Sequence, residues 1–177
     1  MILASILKRP DGNSGSFEMV TTIEGQIRAP GEKRLGIVAA RFNALVVDPL
    51  VSGALEAFRR AGVDPERVDV VRVPGSFEIP VAAQAMAKTG RYAGLVCLGA
   101  VIQGETDHHV QVGDSATQGI VRVMLETGVP ISHGILACAS LEQALQRAGG
   151  KIGNKGAEAA NATLELVDLV GIISKGR

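Results

Sequence analysis

The chain reads as an α/β protein, a three-layer α/β/α sandwich built on a parallel sheet. Three observations carry that reading. Short runs rich in apolar residues at 35–40 (LGIVAA), 68–73 (VDVVRV), 92–99 (YAGLVCLG) and 131–137 (ISHGILA) read as strands, and LGIVAA is apolar throughout, as a strand buried on both faces should be. Between them lie single helical segments, and strands spaced by single helices imply right-handed crossovers. The composition agrees: 46% of the 177 residues are hydrophobic but only 3% aromatic, with 22 Gly, so the core is made of Val, Ile, Leu and Ala.

In chain order, residues 1–18 mix Gly, Ser, Asn and Asp with little periodicity and read as a flexible extension, leaving 19–177 as one domain. Residues 19–28 (MVTTIEGQIR) alternate weakly and could form a short strand before the breaker Ala29-Pro30-Gly31. Such an arm, lying outside the core, is of the kind that adds to an exposed sheet edge elsewhere. The strand at 35–40 is followed by a helix over 44–61 with Leu45, Leu50, Leu55 and Phe58 on its apolar side. Strand 68–73 closes at Pro74-Gly75, and a helix over 77–88 stops at Thr89-Gly90. Strand 92–99 leads into a Gly-containing turn and a helix over 112–126. Strand 131–137, a short helix over 140–148, a glycine-rich basic turn over 149–156 and a helix over 157–170 complete the chain. This order is that of a flavodoxin-like sandwich with four parallel strands.

Composition also excludes function classes. The formal net charge is zero, so there is no basic footprint for nucleic acid and nothing that calls for a membrane surface. No apolar run reaches the roughly 20 residues of a membrane span. The opening MILASILKRP lacks the basic start and length of a signal peptide. Cys97 and Cys138 each sit inside an apolar run, too far apart for a CxxC motif. They read as buried, reduced thiols of a cytoplasmic protein.

Parallel strands gather their carboxyl ends at one edge, where such folds place their chemistry. Phe42 follows the first strand and is either a helix staple or a stacking platform for a planar ring. In Pro74-Gly75-Ser76-Phe77-Glu78, Ser76 and Glu78 either serve the helix start or hydrogen-bond a polyol or heterocycle. Gly104-Glu105-Thr106 offers backbone N–H groups and a hydroxyl before a helix, a cradle for an anion without the spacing or lysine of a Walker loop. His108 and His109 diverge on a helix and lack metal-ligand spacing, so no metal is expected. One histidine acting as acid and base near neutral pH is reasonable chemistry. Arg147, Lys151 and Lys155 recur every four residues but are interrupted by Gly149, Gly150 and Gly153, which leaves a basic loop facing an anion or a solvated surface loop. Asn154 is placed to cap the final helix.

Taken together, RFN at 41–43, VPGSFEIP at 73–80, GAVIQGETDHH at 99–109, TGVPI at 127–131 and QRAGGKIGNKGAEAA at 146–160 resemble the lumazine synthases, in order and without evident gaps over about 19–170. That resemblance implies a transferase of riboflavin biosynthesis. It condenses 5-amino-6-(D-ribitylamino)uracil with 3,4-dihydroxy-2-butanone 4-phosphate to 6,7-dimethyl-8-ribityllumazine, releasing phosphate and water, and needs no cofactor or metal. It implies that Phe42 stacks on the pyrimidine and that Ser76, Phe77 and Glu78 line the ribityl chain. Ala100, Val101 and Ile102 would hold the uracil edge through backbone groups. Glu105, Thr106 and Arg147 would bind phosphate, His108 would transfer protons, and Lys155 would be a basic residue near the site. It further implies a homopentamer whose sites lie between subunits, with the amino-terminal strand added to the neighbour's sheet; family assemblies extend to decamers and sixty-subunit shells. In that arrangement Phe42, Ser76 and His108 of one chain would face His133 and Arg147 of the next. Three departures stand out: His109 replaces a usual aromatic, Gln103 a common arginine, and His133 a phenylalanine of the pocket wall. The last is expected to make substrate affinity depend on pH. Two other readings fit less well: an archaeal-type riboflavin synthase, and a non-catalytic flavin- or lumazine-binding shell protein.

Overall fold

The computed structural model describes residues 2–6, 19–104 and 108–176. Its centre is a four-stranded parallel sheet of β3 (Arg34–Ala40), β4 (Val68–Val73), β5 (Tyr92–Ile102) and β6 (Ile131–Cys138) in the spatial order β4-β3-β5-β6. The helices are α1 (Ala44–Arg60), α2 (Ile79–Lys88), α3 (His108–Thr127), α4 (Leu141–Arg147) and α5 (Lys155–Ser174). Two 3₁₀ turns, Pro65–Arg67 and Ser76–Glu78, lead into β4 and α2. The flavodoxin-like sandwich read from the sequence is the fold observed.

Two cores form because both faces of the sheet are apolar. On one face Leu35, Ile37, Ala39, Val96 and Leu98 pack under α1 and α5 with Leu50, Phe58, Ala160 and Leu164. On the other, Val38, Ala40, Leu95, Cys97 and Ile135 pack under α2 and α3 with Ile79, Ala83, Ala116 and Ile120. Alternate residues of one strand therefore serve opposite cores. Cys97 and Cys138 are free and buried, and burial pushes the Cys97 thiol up to about 12, which keeps it protonated and inert.

Helices α1 and α5 cross closely because Gly156 lies against the α1 backbone: a Cβ there would stand 2.0 Å from the Leu50 carbonyl oxygen. Asn154 locks the same crossing. Its side-chain oxygen accepts from the N–H groups of Gly156 and Ala157 at 2.9 and 3.1 Å, and its amide donates to the Pro49 carbonyl at 2.9 Å. The expected cap is therefore also a tether between two helices. Pro49, inside α1, has no N–H to donate to the Leu45 carbonyl one turn earlier.

Several boundaries differ from the sequence expectation. Strand β5 runs to Ile102 rather than 99, since Ala100-Val101-Ile102 keep a partner in β6 after β3 has ended. The glycine-rich turn contains a small ribbon, β7 (Ala148–Gly150) with β8 (Gly153–Asn154). At the amino terminus β2 (Met19–Ile23) is shorter than 19–28 and pairs antiparallel with β1 (Ile2–Ile6) of its own chain, inside the stretch read as a featureless extension. The arm beyond β2 is tied down by Asp168 on α5, which accepts from Gln26 N–H at 2.9 Å and pairs with Arg28 at 2.5 Å.

Replacing Gly156 by alanine forces the α1 backbone away. An overpacked contact of this kind costs roughly 1–3 kcal/mol. Chemical denaturation of Gly156→Ala is expected to show a lower midpoint with an unchanged slope; an unaltered midpoint would mean that the two helices separate freely.

Candidate active site

The strand order reverses between β3 and β5, because β3 connects outward to β4 and β5 outward to β6. The crevice outside the carboxyl ends at such a reversal is where open α/β sheets bind ligands. A cavity of about 380 Å³ lies there, lined by Phe42, Asn43, Gly75, Ser76, Phe77, Glu78, Ala100, Val101, Ile102, Gly104 and Val112. Seven residues singled out in the sequence thus meet in one place: Phe42, Ser76, Phe77, Glu78, Ala100, Val101 and Ile102.

Each wall has a local cause. The chain leaves β3 through Arg41 and Phe42, whose N–H groups donate to the carbonyls of Val73 and Pro74 at 2.8 and 3.0 Å. Those two bonds tie the end of β3 to the end of β4. Asn43 then takes a left-handed backbone, with φ at 59°, and turns the chain into α1. Asparagine tolerates that conformation, and its amide donates to the Ala100 carbonyl at 2.8 Å. Phe42 is left 70% exposed and Phe77 61% exposed, so two aromatic faces stand at the cavity with little protein covering them.

Across the crevice, the Glu78 carboxylate accepts from the Gly75 N–H at 2.9 Å, holding the turn between β4 and α2. Glu78 thus serves the turn and lines the cavity at once. Ser76 is buried beside β5, where a Cβ on Gly99 would stand 2.5 Å from its hydroxyl oxygen. Only glycine at 99 lets that turn sit so close.

The floor is the overhang of β5. Pairing with β3 ends at Ala39 and Leu98, while pairing with β6 continues through Ile102 and Cys138. Backbone groups alternate sides along a strand. Gln103 N–H donates to Cys138 on the β6 side and the Ala100 carbonyl accepts from Asn43 on the other. The backbone groups of Ile102 therefore face the open side with Ala100, and those of Val101 face β6. Ala100 and Ile102 offer polar edges to a ligand, whereas Val101 contributes its side chain.

Other expected residues stand apart from this cavity within one chain. His133 on β6, Arg147 on α4 and Lys155 at the start of α5 line a separate cavity of about 290 Å³ beside the edge strand. Arg147 donates to the Gln143 carbonyl at 3.4 Å, and Lys155 pairs with Glu158 at 2.5 Å. His133 and Gln103 also line a third cavity, of about 310 Å³, between β6 and α3. Glu105 and Thr106 lie outside the described residues. The backbone of His108 begins α3, and its side chain, like that of His109, is outside what is described. Among the described residues no group of three or more His, Cys, Asp or Glu is placed to hold a metal ion, and no helix is long and apolar enough to cross a membrane.

Two contributors escaped the sequence reading. Asn43 was visible as a residue suited to a left-handed turn after a strand, but its tether to Ala100 was not. Thr117 on α3, which meets His133, carries no signal beyond a hydroxyl on a helix.

A model of the 6,7-dimethyl-8-ribityllumazine synthase family matches residues 32–171 of the chain. The chain belongs to that family. It is 51% identical over 147 residues to the 6,7-dimethyl-8-ribityllumazine synthase of Halorhodospira halophila, a span that covers 83% of this chain and 94% of the relative. Its identity to the enzyme of the same name from Nitratidesulfovibrio vulgaris (strain Miyazaki F) is 51% over 148 residues, covering 84% and 94%. With that of Desulfatibacillum aliphaticivorans it is 48% over 151 residues, covering 85% and 97%. The match to the family model begins after β2, so the paired strands β1 and β2 lie outside it.

The contact between Gly99 and Ser76 generates a test. Gly99→Ala is expected to displace the Ser76 turn and lower kcat/KM about tenfold, chiefly through KM, if loss of one well-placed polar contact is worth about 1 to 2 kcal/mol. Steady-state kinetics beside a thermal melt would separate this from simple destabilisation.

Proposed function

We propose that this chain is the lumazine synthase of riboflavin biosynthesis. It condenses 5-amino-6-(D-ribitylamino)uracil with 3,4-dihydroxy-2-butanone 4-phosphate to 6,7-dimethyl-8-ribityllumazine and releases phosphate and water. One observation carries the reading: the crevice at the strand-order reversal combines exposed aromatic faces, a carboxylate and an open strand edge. A flat heterocycle bearing a polyol asks for that set. Phe42 stacks on the pyrimidine. The Ala100 and Ile102 backbone groups bind its polar edge, and Glu78 with Ser76 and Phe77 takes the ribityl chain.

The reaction proceeds by imine formation, loss of phosphate and ring closure. Holding two reactants in register and moving protons supply most of the acceleration. His108 is the proton-transfer residue, and Glu105, Thr106 and Arg147 bind the phosphate. Neither a metal nor a cofactor is required for this sequence of steps. Because Phe42 and Glu78 sit apart from His133, Arg147 and Lys155 in one chain, the complete site forms between subunits of a homopentamer in the cytoplasm. Among the described residues β4 and β6 form the edges of the sheet, and such an edge is where an amino-terminal strand from a neighbour adds. Larger assemblies, decamers or sixty-subunit shells, are compatible with the same contact.

Incubation with the two substrates is expected to yield the lumazine chromophore without added metal or cofactor. A well-folded protein that makes no product would reject the reading, and riboflavin formed from added lumazine would favour a riboflavin synthase instead. Within the enzyme, His108→Ala should lower kcat by about 100-fold or more. Arg147→Ala should mainly raise KM for the phosphorylated substrate, by roughly 10- to 100-fold, as expected for a charged hydrogen bond.

A further inference from the structure

His133 is the departure from the family pattern whose side-chain hydrogen bond the structure shows. It sits on β6, opposite Cys97 of β5, on the sheet face that packs beneath α3. It is exposed as a whole because β6 is an edge strand, yet its ring nitrogen Nε2 lies 2.9 Å from the Thr117 hydroxyl oxygen on α3. The same hydroxyl lies 2.8 Å from the Gly113 carbonyl one turn earlier. One hydroxyl proton thus has two acceptors within reach.

That geometry gives two arrangements with the ring in the same place. When Nε2 is unprotonated, the Thr117 hydroxyl donates to it. When the ring carries a second proton, Nε2–H donates to Thr117 and the hydroxyl turns to donate to Gly113. Only the hydroxyl rotates. Phenylalanine at 133 could make neither bond.

We propose that Thr117 is a positioning residue that holds His133 in both protonation states, and that the pair makes the β6 wall of the substrate site sensitive to pH. The proposal rests on the reading that this wall faces the planar substrate. Other charges around the ring come from each packed element. Asp114 on α3 lines the cavity that His133 shares with Thr117. Arg147 on α4 and Lys155 on α5, the latter paired with Glu158, line the cavity on the other side. From β5 the facing group is the Cys97 thiol, silent near neutrality.

Burial pulls the His133 imidazole below its ordinary value, with its own backbone carbonyl partly opposing. The ring therefore gains its proton at a lower pH than an ordinary imidazole does. A neutral ring stacks against a heterocycle. A charged one draws water to the wall and lies near two further cations.

The test follows imidazole signals by NMR between about pH 5 and pH 8 in wild type, Thr117→Val, Thr117→Ser and His133→Phe, the last identifying the His133 signal. Binding of 6,7-dimethyl-8-ribityllumazine is measured over the same range. The charged form loses the stronger bond in Thr117→Val, so its midpoint is expected to fall by roughly half to one unit, and Thr117→Ser should restore it. Lumazine affinity should weaken several-fold on the acid side in wild type and follow the midpoint in Thr117→Val. It should be flatter in His133→Phe. An unmoved midpoint in Thr117→Val, or no recovery in Thr117→Ser, overturns the positioning role. Identical binding profiles in wild type and His133→Phe overturn the role at the wall. A protein that binds no lumazine at any pH overturns the proposed function and the wall with it, while the midpoints still decide between Thr117 and a bystander.

Discussion

The site depends on β5 outrunning β3. A parallel strand needs a neighbour on each side to satisfy its backbone, and from Leu95 to Leu98 β5 has both. Beyond Leu98 it keeps only β6. The exposed edge from 99 to 102 would be a liability in water. Here Asn43 takes the Ala100 carbonyl, and the groups of Ile102 remain available. The same mismatch of strand lengths opens the crevice, orients its floor and requires a residue at 43 that tolerates a left-handed backbone.

Everything else around the crevice holds that edge in position. The ends of β3 and β4 are tied through Arg41 and Phe42, so the Phe42 ring and the Ser76–Glu78 turn keep a fixed spacing. Gly99 admits Ser76 against β5, and Glu78 braces its own turn through Gly75. On the far side of the sheet, Gly156 and Asn154 clamp α5 to α1 and thereby set where α5, and Lys155 at its first position, can lie. Two sets of polar groups result, on different sides of one subunit. That separation is what the proposed completion of the site by a second copy would bridge.

Much of this was legible in the chain. Strand β4 matches its predicted run from end to end, and β3 and β6 to within one residue at one end; in β3, apolar residues on both faces leave a strand few other places to go. Phe42, Ser76, Glu78 and Ala100 to Ile102 could be placed together before any coordinates, since parallel topology alone brings carboxyl ends to one edge. Less legible was whatever depends on a partner far along the chain. The extension of β5 is decided by β6, not by its own residues. The strand at 2–6 exists through pairing with 19–23, and a run of five residues carries too weak a periodicity to announce it.

The sequence by itself determined the sandwich, its strand order in the chain, the family and which groups gather at the carboxyl edge of the sheet. These follow from periodicity, turn residues and short motifs, all of which are local. Tertiary structure decided which groups meet. It put Asn43 on Ala100, the Gly75 N–H on Glu78, and the ring of His133 on a threonine sixteen residues earlier. Such contacts depend on the packing of helices and strands whose spacing is set by side-chain volume and close backbone approach, and neither can be read from residue type alone.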